Sequence, residues 1–294
     1  MLRALLALVF SLTLSLAVRA ADPAITTERE VEYGRVKDKP LLLDVTHPTE
    51  KLAVPRPALL VVHGGGWVAG DKRDMQPLAD AAARVGVVCF NINYRLTFGE
   101  ENRWPAALDD TQRAVRWVRA NAAKYDIDPN RLGAIGASAG GHLVAYLGTA
   151  DTRDNSDPAL AAFSSRVQCV VDICGPTNLG EDFSTKEKLG LTANELVKKF
   201  LGGVGYQEKL ETAKEASPLL HVDAKSAPFL IFHGAADDLV PPDQSVRMDA
   251  ALQKAGVESK LILFEGEGHA FKKKENHERL AAETVAFLKK HLWK

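Results

Sequence analysis

Cysteine is scarce in this chain: three residues among 294, at positions 89, 169 and 174. That is too few for a disulfide framework. Cys169 and Cys174 fall in one strand-like run, Val167 to Cys174. Five residues apart along a strand, they face opposite ways and stand ~16 Å apart, beyond the reach of a bridge. All three read as small buried hydrophobes. An excess of charge of either sign is also missing, since 37 Lys+Arg against 38 Asp+Glu leave a formal charge of −1. Such a balance gives no support to a nucleic-acid partner or to a surface drawn to anionic lipid. No repeat, low-complexity tract or long charge block is present. Neither H-E-x-x-H nor a Cys–His pairing at ligand spacing occurs, so no metal is expected. The dinucleotide fingerprint G-x-G-x-x-G and the phosphate-loop ending G-K-[ST] are absent too, which argues against a phosphate-gripping turn.

Long apolar runs are confined to the start. Met1-Leu-Arg3 supplies a positive end, Ala4 to Val18 is apolar apart from small hydroxyl residues, and Val18-Arg-Ala20 offers a cleavage site before Ala21. This is the pattern of an export signal over residues 1–20. A retained anchor needs ~20 apolar residues; this run is shorter and Arg19 interrupts its end. No cysteine near the cleavage point suggests a lipoprotein. The mature chain is therefore expected to be periplasmic or secreted, with no membrane association after cleavage.

Residues 21–294 can bury one large core. Val31–Val36 and Pro40–Thr46 read as two antiparallel strands. Ala58–His63 is continuously apolar, as a strand buried on both faces of a parallel sheet must be. Further strands are expected at Val87–Arg95, before Ser138, and at Val167–Cys174, Pro228–His233 and Lys260–Phe264. Helices are expected at Met75–Arg84, from Trp104-Pro105 through Ala122, directly after Ser138, at Ser245–Ala255 and at His277–Trp293. Strands alternating with helices predict an α/β fold, a mostly parallel sheet covered on both sides. The polar, helix-prone stretch of about 175–227 exceeds the usual ~2–6-residue connection and is expected to form a small cap.

In such sheets ligands gather at the carboxyl ends of the strands, so the polar residues just past each apolar run carry the chemistry. Gly136-Ala-Ser138-Ala-Gly140 is a G-x-S-x-G elbow set between strand and helix, which projects a nucleophile from a sharp turn. A serine needs a base and a group that orients it. Of eight histidines, His269 is best placed, past the last strand in Glu265-Gly-Glu-Gly-His269. His277 and His291 belong to the final helix, where the latter suits the helix C-terminus. His233 precedes the acid loop and props it, His142 lies behind the elbow, His63 heads a glycine run, and His47 and His221 lack a catalytic context. The orienting acid should follow the penultimate strand, where Asp237 is preferred to Asp238; Asp243 is expected to cap the next helix. Oxyanion donors are assigned to the N–H groups of Ala139, Gly65 and Gly66, with Gly64 as an alternative. Trp67 is taken to shape the substrate pocket, although a core tryptophan beside a turn fits as well. Asn93-Tyr94-Arg95 is expected to brace the structure.

These residues resemble the α/β-hydrolase superfamily, in which the chain order is the same as Ser138, Asp237, His269 here. More narrowly, His63-Gly-Gly-Gly-Trp67 with Gly136-Ala-Ser-Ala-Gly-Gly-His142 is similar to bacterial carboxylesterases related to acetyl esterases, feruloyl-type esterases and hormone-sensitive lipase. The resemblance implies cofactor-free hydrolysis of carboxylic esters, short acyl esters first, through an acyl-serine intermediate. The substrate would be a small-molecule or polysaccharide-linked ester. Two features depart from the lipase branch: Ala137 stands where that branch carries Asp, and the opening strands leave little room for an N-terminal cap. A peptidase or amidase of the prolyl-oligopeptidase-related type is the alternative, though no long N-terminal propeller precedes this domain. A catalytically silent binding protein on the same fold is the other.

Overall fold

The computed structural model describes residues 23–183, 192–203 and 207–293. The expected export signal lies outside them, as does part of the 175–227 stretch. The chain builds one eight-stranded sheet in the order β1-β2-β4-β3-β5-β6-β7-β8. β1 (Ile25–Val36) and β2 (Lys39–Pro48) form an antiparallel hairpin, and β2 runs antiparallel to β4 (Val88–Ile92). The pairings among β3 (Arg56–Val62), β4, β5 (Ile127–Ala137), β6 (Val170–Ile173), β7 (Phe229–Gly234) and β8 (Ser259–Phe264) are all parallel. This is the α/β-hydrolase arrangement expected from the sequence.

Alternation along the central strands feeds two cores. In β3, Ala58, Leu60 and Val62 enter one, while Leu59 and Val61 enter the other. The first is covered by α2 (Ala106–Ala120), α3 (Ala139–Thr149) and α6 (Asp243–Lys254), through residues such as Leu108, Leu143 and Met248. The second is covered by α1 (Gln76–Arg84) and α7 (Lys274–Leu292), through Ala79, Leu280 and Phe287. Every residue of β3 is buried, which is why its sequence shows no polar alternation. Beyond β6 come α4 (Ala193–Leu201), α5 (Leu210–Glu215) and a 3-10 turn at Pro218–His221. Among the described residues no helix is long and apolar enough to cross a membrane.

Boundaries differ from the sequence reading where polar side chains take over from the ladder. The strand expected through Arg95 stops at Ile92. Beyond it, the Asn93 carbonyl accepts the Tyr33 hydroxyl at 2.6 Å, and Arg95 pairs with buried Asp110 at 2.7 Å. The helix expected from Met75 begins as a 3-10 turn at Lys72, capped by Asp71. Asp243 does not cap α6; it lies in the first turn and pairs with Arg247 one turn on, at 2.5 Å. Cys89, Cys169 and Cys174 are free and buried. Cys174 nonetheless shares a core with Cys169 rather than facing away, because its left-handed backbone (φ 54°) breaks the strand alternation just past β6.

Candidate active site

β5 ends at Ala137 and α3 begins at Ala139, so Ser138 is the whole turn between them. Its backbone sits at φ 55°, ψ −120°, a region in which a side chain is strained. Neighbours impose that conformation: the Ser138 N–H donates to the Ile173 carbonyl at 2.7 Å, and its carbonyl accepts the His142 N–H at 3.0 Å. The flanking glycines are needed for close approach. A Cβ on Gly136 would overlap the Gly140 carbonyl, and one on Gly140 would overlap the Val62 carbonyl of the adjacent strand. Ser138 thus stands at the N-terminus of α3, whose first N–H groups lack intrahelical acceptors and carry partial positive charge.

Two other strand ends bring their loops to the same place. His269 Nε2 lies 2.8 Å from Ser138 Oγ, and His269 Nδ1 lies 2.7 Å from Asp237 Oδ2. A carboxylate only accepts, so Nδ1 carries the proton and Nε2 is free to take the serine proton. Asp237 is held from both sides. Oδ1 accepts the Leu239 and Val240 N–H groups at 2.9 and 3.0 Å, and Oδ2 accepts a second imidazole, His233 Nε2, at 3.1 Å. Burial alone would raise this carboxyl, but the hydrogen bonds from His233 and His269 outweigh it and hold Asp237 well below the usual carboxylate range. Asp238, one residue on, has no part in this contact.

The loop bearing His269 is organised by a residue the sequence reading passed over. The Glu267 carboxylate, 2% exposed as a residue, accepts the Lys272 and Lys273 N–H groups and the Asn276 amide at 2.8–2.9 Å. The Ala236 N–H donates to the Glu267 carbonyl at 2.8 Å, and a Cβ on Gly234 would overlap the Gly268 carbonyl. The acid and histidine loops are therefore locked backbone to backbone. An acidic residue between two glycines beside the chosen histidine was the available signal.

The glycine loop after β3 closes the other side. Gly64 packs against the elbow, where an added Cβ would stand 2.9 Å from the Ala137 carbonyl and 3.2 Å from Ser138 Cβ. The Gly65 carbonyl receives the Val68 and Ala69 N–H groups at 3.2 and 3.1 Å, and its φ of 111° is open only to glycine. Gly66, at φ 58°, lies beneath the Leu196 side chain of α4. His63 braces this loop: Nδ1 donates to the Gly64 carbonyl at 2.7 Å, and the ring stacks on Tyr94 with centroids 4.4 Å apart.

The BD-FAE family model matches residues 43–252, a stretch that holds the glycine loop, the elbow and Asp237 and ends before His269. This chain belongs to the BD-FAE family. Over 252 residues, covering 83% of the chain and 59% of the relative, it is 34% identical to esterase LipC of Mycobacterium tuberculosis. It spans about half the length of the curated relatives it matches first. Among solved structures, a truncated carbohydrate esterase from gut microbiota superposes with a TM-score of 0.79 at 27% identity, covering 94% of this chain and 99% of that one. The butyrate-bound esterase Est2 of Thermogutta terrifontis gives 0.74 at 26% identity, with 91% and 94% covered.

In this BD-FAE chain one expectation takes another form. Trp67, expected to shape the pocket, is 3% exposed. Its ring stacks on Phe200 of α4 at 4.4 Å, and its indole N–H donates to His142 Nδ1 at 3.3 Å. With one face covered and its polar atom used, Trp67 supports the site from behind. His142 is fixed in turn: Nε2 donates to the Ala216 carbonyl at 2.7 Å, and burial pushes its pKa down to about 4, so it stays neutral. Among the described residues, Cys174, His233 and Asp237 place potential ligand atoms within 4.8 Å of one another. Both His233 nitrogens are already engaged, Nδ1 by Ser245 Oγ at 2.6 Å and Nε2 by Asp237. Burial also pushes the Cys174 thiol well up. The group fits hydrogen-bonded support of the acid better than a metal site.

Proposed function

We propose that this protein is a serine esterase cleaving carboxylic esters, short acyl esters foremost, through an acyl-serine intermediate. One observation carries the reading: the unbroken contact from Ser138 Oγ to His269 Nε2 (2.8 Å) and from His269 Nδ1 to Asp237 Oδ2 (2.7 Å). His269 removes the Ser138 proton as the oxygen attacks the ester carbonyl, and Asp237 stabilises the imidazolium that forms. The N–H groups of Ala139, Gly65 and Gly66 receive the oxyanion, each worth ~10²–10³ in turnover in comparable sites. His269 then protonates the leaving alcohol. Water repeats the sequence on the acyl-serine and frees the acid.

Leu196 over Gly66 gives the site a low roof, which suits small acyl groups, and α4 serves as the cap. The likeness to a carbohydrate esterase and to a butyrate-bound esterase favours acetyl to butyryl groups, on small alcohols or on a polysaccharide. The test is release of p-nitrophenol from acetyl to decanoyl esters, with acetylated xylan, methyl ferulate and an aryl-amide set alongside. Short esters should turn over fastest, and Ser138→Ala should lose on the order of 10⁴-fold or more in kcat. Equal turnover by the alanine variant would sink the mechanism; faster cleavage of amides than of esters would turn the reading to a peptidase.

A further inference from the structure

We propose that His233 is a positioning residue for the acid–base pair, holding the Asp237 carboxylate toward His269 through a second hydrogen bond to the same oxygen, with Ser245 fixing the tautomer that allows it. This rests on the serine-esterase reading above. His233 is the penultimate residue of β7 and is fully buried. Its Nε2 faces two groups that can only accept, Asp237 Oδ2 at 3.1 Å and the Val240 carbonyl at 3.0 Å, so Nε2 bears the proton. Its Nδ1 meets the buried Ser245 hydroxyl of α6 at 2.6 Å, which donates into the lone pair of the neutral ring. The tautomer is set from both sides.

Two consequences follow for catalysis. The Leu239 and Val240 N–H groups hold Oδ1, and His233 holds Oδ2, so the carboxylate cannot rotate away when His269 moves. Oδ2 also divides its charge between two donors. A carboxylate oxygen serving one imidazole alone holds it more strongly and favours its charged form. His233 thereby moderates the hold of Oδ2 on His269 Nδ1. The titratable groups facing this pair are Asp237 from the acid loop, Asp172 from β6 and Cys174 just past β6; Ser138 faces His269 from the elbow.

The experiment is the pH dependence of kcat/KM on p-nitrophenyl butyrate for the wild type, His233→Leu, His233→Gln and Asp172→Asn. His233→Leu should lower kcat roughly tenfold, as loss of an orienting outer partner does elsewhere, with KM little changed and the acid limb displaced upward by roughly one unit. His233→Gln, whose amide can still donate to Oδ2, should restore most of kcat and the wild-type limb. Asp172→Asn should leave the limb in place. A folded His233→Leu enzyme with an unmoved limb, a glutamine variant no better than leucine, or a limb that follows Asp172 would each overturn the proposal. Should the leucine variant fail to fold, imidazole ¹⁵N shifts of the wild type decide: His233 protonated at Nε2 alone supports the assignment, and protonation at Nδ1 alone refutes it. Wild-type protein that neither hydrolyses esters nor takes a fluorophosphonate label at Ser138 would remove the esterase reading itself. An active, labelled enzyme with an unmoved limb removes only the role of His233.

Discussion

Asp237 and Asp172 are both buried carboxylates at the top of the sheet, and their surroundings push them in opposite directions. Asp237, despite its burial, is held low by two imidazoles. It contributes stability that is fully present above the ordinary carboxylate range and is lost progressively as the pH falls below that range, through its own lowered pKa. Asp172 is fully buried and accepts one backbone N–H, from Gly175 at 2.9 Å, while its Oδ2 has no partner among the described residues. Burial pushes it up to about 6. Between 3.8 and about 6 the folded chain thus binds more protons at this site than the unfolded chain, and stability falls as the pH rises through that window. A rise of this size corresponds to about 3 kcal/mol at most. Asp172→Asn should therefore raise Tm by several degrees at pH 7.5 and leave it nearly unchanged at pH 4, measured by calorimetry; a pH-independent difference would contradict the assignment. Ser138, Asp237 and His269 could be picked from sequence because each follows an apolar run in a set chain order. Glu267 could not be given its role that way, and His233 only as a prop for the acid loop, since what makes them matter is burial against partners that only the folded chain supplies.

Elements were legible where they are continuous and apolar, as in β3, and less so where polar contacts end them, as at Asn93 and Lys72. The segment after β6 was recognisable only by its length. How it is seated depends on ring packing that no period in the sequence announces. Phe200 of α4 is fully buried, stacked on Trp67 at 4.4 Å and edge-on to Trp104 and His142 at 5.6 and 5.7 Å. The Trp104 N–H also donates to the Phe200 carbonyl at 2.7 Å. This cluster joins α4 to Trp67, the residue directly after the glycine loop, so loosening it should be felt in both stability and substrate handling. Phe200→Ala should cost about 3–5 kcal/mol in urea unfolding, and the protein that remains folded should show a raised KM, because Leu196 no longer sits firmly over Gly66. Loss of stability with KM unchanged would mean that α4 takes no part in the site.

At the scale of the whole molecule, the family match and the Ser138–His269–Asp237 contact do not end together. Residues 43–252 hold Ser138, Asp237 and the glycine loop, whereas His269 lies beyond them, on a loop between β8 and α7. Those last elements also complete the second core. Leu280, Phe287, Leu288 and Leu292 of α7 are buried in it with Leu59, Ile135 and Ile173 of the central strands. At ~1.5–3 kcal/mol for each large apolar side chain, their removal takes away an amount comparable with the ~5–15 kcal/mol that stabilises an ordinary domain. A chain ended after Lys273 keeps Ser138, Asp237 and His269, together with most Glu267 contacts, yet bares this face of the sheet. It should lose cooperative unfolding and near-ultraviolet dichroism, bind a hydrophobic dye, and hydrolyse no ester. Should the shortened chain instead unfold cooperatively and keep its turnover, the second core would not be what holds the three strand-end loops in register.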